Sequence, residues 1–271
     1  MQTIQLGAIT LRLLLDARGQ IEGERVFYPA TPEQWSPGLV VDAEGNVPIQ
    51  VTSLLISENG RHTLVDTGFG EEERPEREDN LLKSLAAAGL QPKDIGRVIL
   101  THAHGDHCMG NTLLRAGRWL PAFPLAEYVI QEDEIAAMRD AGDLVWATRF
   151  HPLAQRDQLR LIAGRTELSD AIVCWPTPGH TNGHQSVLVR SDEGAALFVG
   201  DLAVLAGNLE HPAWGPSWAW SREADQQNRR AVAEWAVEEG AIVIVGHDPE
   251  RTWVRLQRAE QGYRAIVVEQ A

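Results

Sequence analysis

Three histidines and an aspartate fall within six residues at His102-Ala103-His104-Gly105-Asp106-His107. Imidazole nitrogens and carboxylate oxygens are the donors that zinc and other first-row divalent metals accept. Alternate side chains of an extended segment point the same way, so His102 and His104 can close on one ion. Gly105 then lets the backbone turn, which frees Asp106 and His107 to face a second position. A lone histidine would carry no such reading. Four donors at this spacing do, and one loop can feed two metals.

Such a loop needs elements to present it, and the flanking sequence supplies them. The apolar run Val98-Ile99-Leu100 reads as the end of a strand, Arg97 to Leu100, so the donors emerge at its C-terminal end, the usual place for sites in α/β folds. Upstream, Val51 to Ser57 and His62 to Asp66 read as a hairpin closed by Asn59-Gly60, and Asn80 to Leu90 as a helix ended by Gly89. The hairpin ends at Val65-Asp66-Thr67-Gly68. Asp66 there could orient a ligand histidine or open an Asx turn. The charged run Glu71 to Asp79 reads as a solvated loop or helix start. Before all of these, the alternation of Leu11, Leu13 and Leu15 predicts a strand, and Gly19 to Pro48 a long irregular loop.

The second half repeats one pattern, an apolar strand followed by a donor. Leu125 to Gln131 and Glu132 to Asp140 read as strand and helix. Ile172 to Trp175 runs into Thr177-Pro178-Gly179-His180, and His180 is a natural third donor for the first metal. Ser186 to Arg190 and Ala195 to Val199 form a hairpin whose second arm ends in Gly200-Asp201. After a helix over Arg222 to Glu239, the run Ala241 to Val245 delivers Gly246-His247. The chain from Ala141 to Leu159 reads either as a helical insert over the site or as a surface connection.

Composition narrows the function. With 271 residues, 44% hydrophobic and 23% charged, the chain suits one layered α/β domain spanning residues 1–271, with a lid-like insert near 141–160. A net charge of −14 disfavours nucleic acid, whose binding is dominated by Lys and Arg on phosphates. Two cysteines, Cys108 and Cys174, cannot form a disulfide framework, and no apolar run is long enough for a bilayer. A cytoplasmic protein with a small-molecule substrate is expected, and an apolar N-terminal loop would suit a homodimer.

Taken together, His102-Ala103-His104-Gly105-Asp106-His107, Thr177-Pro178-Gly179-His180, Gly200-Asp201 and Gly246-His247 resemble the metallo-β-lactamase-fold hydrolase superfamily, from about Val51 to His247. The resemblance implies an α/β/β/α sandwich of four layers built from two similar halves. It also implies that His102, His104 and His180 hold one metal ion, that Asp106, His107 and His247 hold another, and that Asp201 bridges them. The cofactors would be two divalent ions, Zn2+ first, with Mn2+, Co2+ or Fe2+ as alternatives. Two such ions lower the pKa of a shared water and polarise the bond to be attacked, while Asp106 would shuttle a proton to the leaving group. His184, in Gly183-His184, would support the ligands from behind.

Within the superfamily the chain is most similar to the branch of acyl-homoserine lactonases and methyl-parathion-hydrolase-like enzymes. A quorum-quenching-type lactonase or ester hydrolase is the first expectation and an organophosphate triesterase the alternative. A glyoxalase-type thioesterase would need a basic cluster that the segment after Gly246 does not show, and a non-catalytic binding protein would be expected to have lost donors. The tyrosine that lactonases of this branch commonly place after the bridging aspartate has no counterpart in Leu202-Ala203-Val204-Leu205. The nearby Trp214, Trp218 and Trp220, with Trp146 and Phe150 of the insert, are candidates to wall an apolar substrate pocket. The alternative for the tryptophans is that they anchor a long loop. Cys108 is expected to be a small buried residue beneath the site.

Overall fold

The computed structural model describes residues 2–70, 79–141 and 143–269. Most of the charged run read as loop or helix start, residues 71–78, lies outside them. The chain divides into two compact units, Met1–Ala17 with Val51–Thr166, and Arg18–Gln50 with Glu167–Ala271. The fold is mixed α/β, with helices flanking the sheets, as the resemblance implies.

Strands of the first unit are β1 (Thr3–Leu6), β2 (Ile9–Glu22), β3 (Asn46–Glu58), β4 (Arg61–Val65), β5 (Arg97–Ile99), β6 (Thr112–Arg115), β7 (Arg118–Pro121), β8 (Glu127–Gln131) and β9 (Leu159–Ile162). β2 and β3 continue along the chain into the second unit. The sheet order is β1-β2-β3-β4-β5-β8-β9, and β6 and β7 form a separate hairpin. Asn59 and Gly60 carry φ of 50° and 73°, the left-handed pair that a tight hairpin between β3 and β4 requires. β4, β5, β8 and β9 run parallel. Leu64, Val98, Tyr128 and Ile130 bury one face of these strands against Leu81 and Leu85 of the helix Leu81–Ala87. Asn80 caps that helix, its side chain accepting from the Lys83 N–H. The metal-type loop begins three residues after β5.

The second unit holds β10 (Thr166–Glu167), β11 (Ile172–Pro176), β12 (Gln185–Ser191), β13 (Gly194–Phe198), β14 (Ile242–Ile244), β15 (Trp253–Arg258) and β16 (Tyr263–Val267), paired in chain order. β13 and β14 pair in parallel and are joined through the long helix Arg222–Glu239. Ser221 caps the start of that helix and left-handed Gly240 ends it. Val232, Ala233 and Ala236 bury its inner stripe on Leu188, Leu197 and Val243. The stretch expected as an irregular loop from Gly19 to Pro48 is more ordered than that. β2 runs on to Glu22, and two helical turns follow, Gly23–Val26 and Pro32–Trp35. Gln34 Oε1 accepts the Thr31 backbone N–H at the start of the second turn, and Phe27 stacks on Trp35 at 5.6 Å.

The stretch from Ala141 to Leu159 is largely helical in its described part, with a π-helical turn Trp146–Phe150 and a helical turn His151–Ala154. No helix among the described residues is long and apolar enough to cross a membrane.

Candidate metal centre

The first unit carries four of the expected donors on the loop after β5. His102 and His104 meet edge to face at 4.6 Å between ring centres, and the His102 and His107 rings lie 4.1 Å apart. Gly105 opens a single helical turn, Gly105–Cys108, with His104 as its cap. That turn places Asp106 on the more open side, 29% exposed, its Oδ2 3.6 Å from His107 Nε2. His102 and His107 are buried.

This loop is held from behind. Asp66 Oδ2 stands 2.8 Å from His107 Nδ1, and its Oδ1 accepts the Thr101 backbone N–H at 2.7 Å. Thr101 Oγ1 bonds both Asp66 oxygens and lies 3.0 Å from His102 Nδ1. Ala103 N–H donates to the Glu134 carboxylate at 2.9 Å. Thr67 clasps the His107 carbonyl with its N–H at 2.7 Å and its hydroxyl at 3.1 Å. Thr101, Glu134 and Thr67 went unread in the sequence, since a threonine before a histidine and an acidic first helical turn are both commonplace.

The second unit brings together the other three. Asp201 follows β13 in the tight turn Gly200–Leu202. Its Oδ2 is 3.1 Å from His180 Nε2 and its Oδ1 is 2.9 Å from His247 Nε2, so each oxygen faces one imidazole. His247 Nδ1 is fixed at 2.7 Å from the Gln50 carbonyl. His184 is fully buried, its Nε2 accepting the Asp201 backbone N–H at 3.1 Å. The other nitrogen of His184 therefore carries the proton toward Thr177, whose carbonyl and hydroxyl lie at 3.1 and 2.9 Å. Metal-binding histidines characteristically bond an oxygen through the ring nitrogen away from the ion. His102, His107 and His247 each have an oxygen within bonding distance of Nδ1, and the donors of each unit, nitrogen-rich with one carboxylate, are of the kinds a divalent metal accepts.

Of the aromatic candidates, Trp218 stands edge-on to the His180 ring at 6.4 Å, and Trp220 donates its backbone N–H to the His180 carbonyl while its ring is 62% exposed. Trp214 stacks on His211 at 3.9 Å and lines a cavity of about 350 Å³ within the second unit, with Phe27, Trp35, Leu205 and Arg251. Phe150 corrects the expectation of a pocket wall. It is 0% exposed, part of the first unit's apolar core, and Trp146 packs against the same core. Cys108 and Cys174 are both buried thiols. Cys108 Sγ donates to the Ala103 carbonyl, and burial pushes it well above the ordinary thiol range.

The family model described as the metallo-beta-lactamase superfamily matches residues 46–247, more than half of the chain. The protein belongs to this superfamily. An N-acyl homoserine lactonase of Bacillus sp is 27% identical to it over 175 residues, 64% of each chain, so the match spans just under two thirds of that relative's length. The N-acyl homoserine lactonase AttM of Rhizobium radiobacter is 25% identical, covering 79% of this chain and 88% of its own. Among solved structures, AidC, a dizinc quorum-quenching lactonase in complex with a product, superposes with a TM-score of 0.83 at 22% identity over 100% of this chain and 98% of its own. That likeness establishes a shared fold.

Proposed function

We propose that this superfamily member is a metal-dependent hydrolase that opens a lactone, with N-acyl homoserine lactones as the first substrate class. His102, His104 and His180 would hold one divalent ion, Asp106, His107 and His247 a second, and Asp201 would serve both. The observation that carries this reading is the Asp201 carboxylate, which presents one oxygen to His180 and the other to His247. A carboxylate divided in this way suits a bridge between two cations. The curated relatives named as N-acyl homoserine lactonases support the choice of substrate. Zinc suits the donor set best, with manganese, cobalt or iron as alternatives.

Two bound divalent ions would supply hydroxide at neutral pH and draw charge from the scissile carbonyl. The chain's own groups do the rest. Asp66 and Thr101 hold the His107 and His102 rings in one tautomer, and His184 holds the Asp201 backbone. Asp106 Oδ2, partly open to solvent, would take a proton and return it to the departing ring oxygen. The cavity beside Trp214 has a mixed lining, in which Glu210, Asp248, Glu250 and Arg251 stand beside Phe27, Trp35 and Leu205, and an acyl chain would lie along its aromatic side. The same reading sets the protein in the cytoplasm, where Cys108 and Cys174 stay as thiols.

A second reading, an aryl ester or phosphotriester hydrolase, is favoured by the stretch Leu202-Ala203-Val204-Leu205, which offers no phenol after Asp201. Tyr128 and Tyr263 spend their hydroxyls on Asn111 and Glu234. The deciding experiment is hydrolysis of a panel by protein of known metal content: a long-chain acyl-homoserine lactone, a plain γ-lactone, an aryl ester and an aryl phosphotriester. The expected result is a preference for the acyl lactone by at least about tenfold in kcat/KM over each other class, abolished by chelation and restored by zinc. A phosphotriester preference moves the assignment to the second reading. Full activity in metal-free protein overturns both.

A further inference from the structure

The helix Arg222–Glu239 carries charge where charge is costly. Asp225 and Arg229, one turn apart and in contact, are 1% and 2% exposed. Burial disfavours the charge on each, raising Asp225 and lowering Arg229 from their ordinary values despite their mutual attraction. An apolar pair of the same volume would pack at least as well. Packing therefore leaves the pair unexplained.

What the pair touches is more informative. The Arg229 guanidinium donates from Nη1 to the Leu202 carbonyl at 3.1 Å and from Nε to the Pro212 carbonyl at 3.2 Å. Leu202 is the neighbour of Asp201. Gly215 makes room for the guanidinium, since a Cβ there would stand 2.6 Å from its Cζ. On the same stretch of helix, the Asp225 backbone lies so near Gly179 that a Cβ on the glycine would be 2.3 Å from it, and Gly179 holds φ of +147°. Ser221 N–H donates to the Gly179 carbonyl, Trp220 N–H to that of His180, and Asn228 Nδ2 to that of Pro178. The start of one helix thus grips the turn carrying His180 and, through Arg229, the turn carrying Asp201.

We propose that Arg229, held by Asp225, is a positioning residue that fixes the Asp201 turn against the His180 turn and so sets the metal affinity of the position these two side chains serve. This rests on the reading of His180 and Asp201 as ligands. Their nearest atoms are 3.1 Å apart, so a small shift of either turn alters what they can hold together. A guanidinium suits the task because its planar fork reaches two carbonyls at once, which a single ammonium does not.

The test uses the full chain stripped of metal and titrated with zinc against a chromophoric chelator. Wild type is expected to take up two zinc ions. The double variant Asp225→Leu/Arg229→Met removes both charges together, leaving none buried alone, and releases both carbonyls. It should melt, without zinc, at or above the wild-type temperature while binding one zinc about 10- to 100-fold more weakly, the cost typical of losing a group that orients a ligand. Arg229→Lys keeps the pair but cannot reach both carbonyls, and should lose affinity by a smaller factor. Wild-type affinity for both ions in either folded variant overturns the proposal, and so does a lowered melting temperature with zinc affinity unchanged, which marks a purely structural role. A wild-type chain that takes up no zinc overturns the metal reading itself, and the proposal with it.

Discussion

His107 Nδ1 lies 2.8 Å from Asp66 Oδ2, and Asp66 makes that contact from a left-handed backbone with φ of 62°. Aspartate is among the few residues besides glycine that tolerate this region. The same carboxylate also accepts the Thr101 N–H, so one strained residue at the end of β4 fixes both ends of the donor loop. Asp66→Asn keeps the size and the backbone tolerance but no longer accepts through two charged oxygens. Zinc affinity is expected to fall about 10- to 100-fold. Competitive zinc titration checks this, and an affinity equal to wild type would show that Asp66 merely shapes the turn.

Phe150 and Trp214 separate core from cavity. Phe150 is enclosed in the first unit's core, so Phe150→Ala should cost about 3–5 kcal/mol in urea unfolding. It should also leave the preference among acyl-chain lengths unchanged. Trp214 lines the cavity of the second unit, and Trp214→Ala should raise KM for long acyl chains by roughly tenfold, the loss of one to two kcal/mol of apolar contact, with little effect on short ones. Kinetics over a series of chain lengths, alongside unfolding curves, reads both. An equal effect of Trp214→Ala on short and long chains would move that ring out of the substrate's path.

Much of this architecture was legible in the chain because local chemistry and global fold agree. Asn59-Gly60 allows one kind of turn, and Ser221 and Gly240 delimit a helix whose apolar stripe is regular. The donors stood out because three histidines and an aspartate in six residues have no other common use. Less legible were β15 and β16, where Arg255, Gln257 and Arg258 interrupt the apolar pattern on an exposed face. The turns between β2 and β3 were missed because their capping residues sit among prolines and glycines that signal loop. Asp225 and Arg229 have the i,i+4 spacing of any surface pair, and nothing in the sequence sets them apart. Only tertiary packing, with Gly179 and Gly215 leaving space against the helix, puts them inside.

Cys108 neighbours His107 in sequence, yet its thiol is fully buried and hydrogen-bonded to the Ala103 carbonyl. Burial, more than the nearby charges, raises it well above the ordinary thiol range, so it stays protonated and unreactive at neutral pH. Native protein treated with iodoacetamide at pH 8 should show no adduct at Cys108 by peptide mass mapping, whereas the urea-unfolded chain should be fully modified. Rapid labelling of the native chain would place Cys108 in contact with solvent.

Asp225 gives stability a pH dependence whose sign can be worked out. Burial raises its carboxyl to about 6, and the attraction of Arg229 only partly offsets this. An unfolded chain loses this proton near pH 4, so between about pH 4 and 6 the native state holds a proton that the unfolded state has released. Stability from this group therefore falls as pH rises through that window and is level above it. The span of about two pKa units corresponds to roughly 2–3 kcal/mol. Asp225→Asn has no such proton, so the difference in unfolding free energy between wild type and variant should shift by that amount against the wild type from pH 4 to 6.5. Taking the difference removes the titration of the histidines, which both proteins share. A difference that stays flat across the window, or one that grows in the wild type's favour, would mean that Arg229 keeps Asp225 ionised throughout and that attraction outweighs burial in the pair.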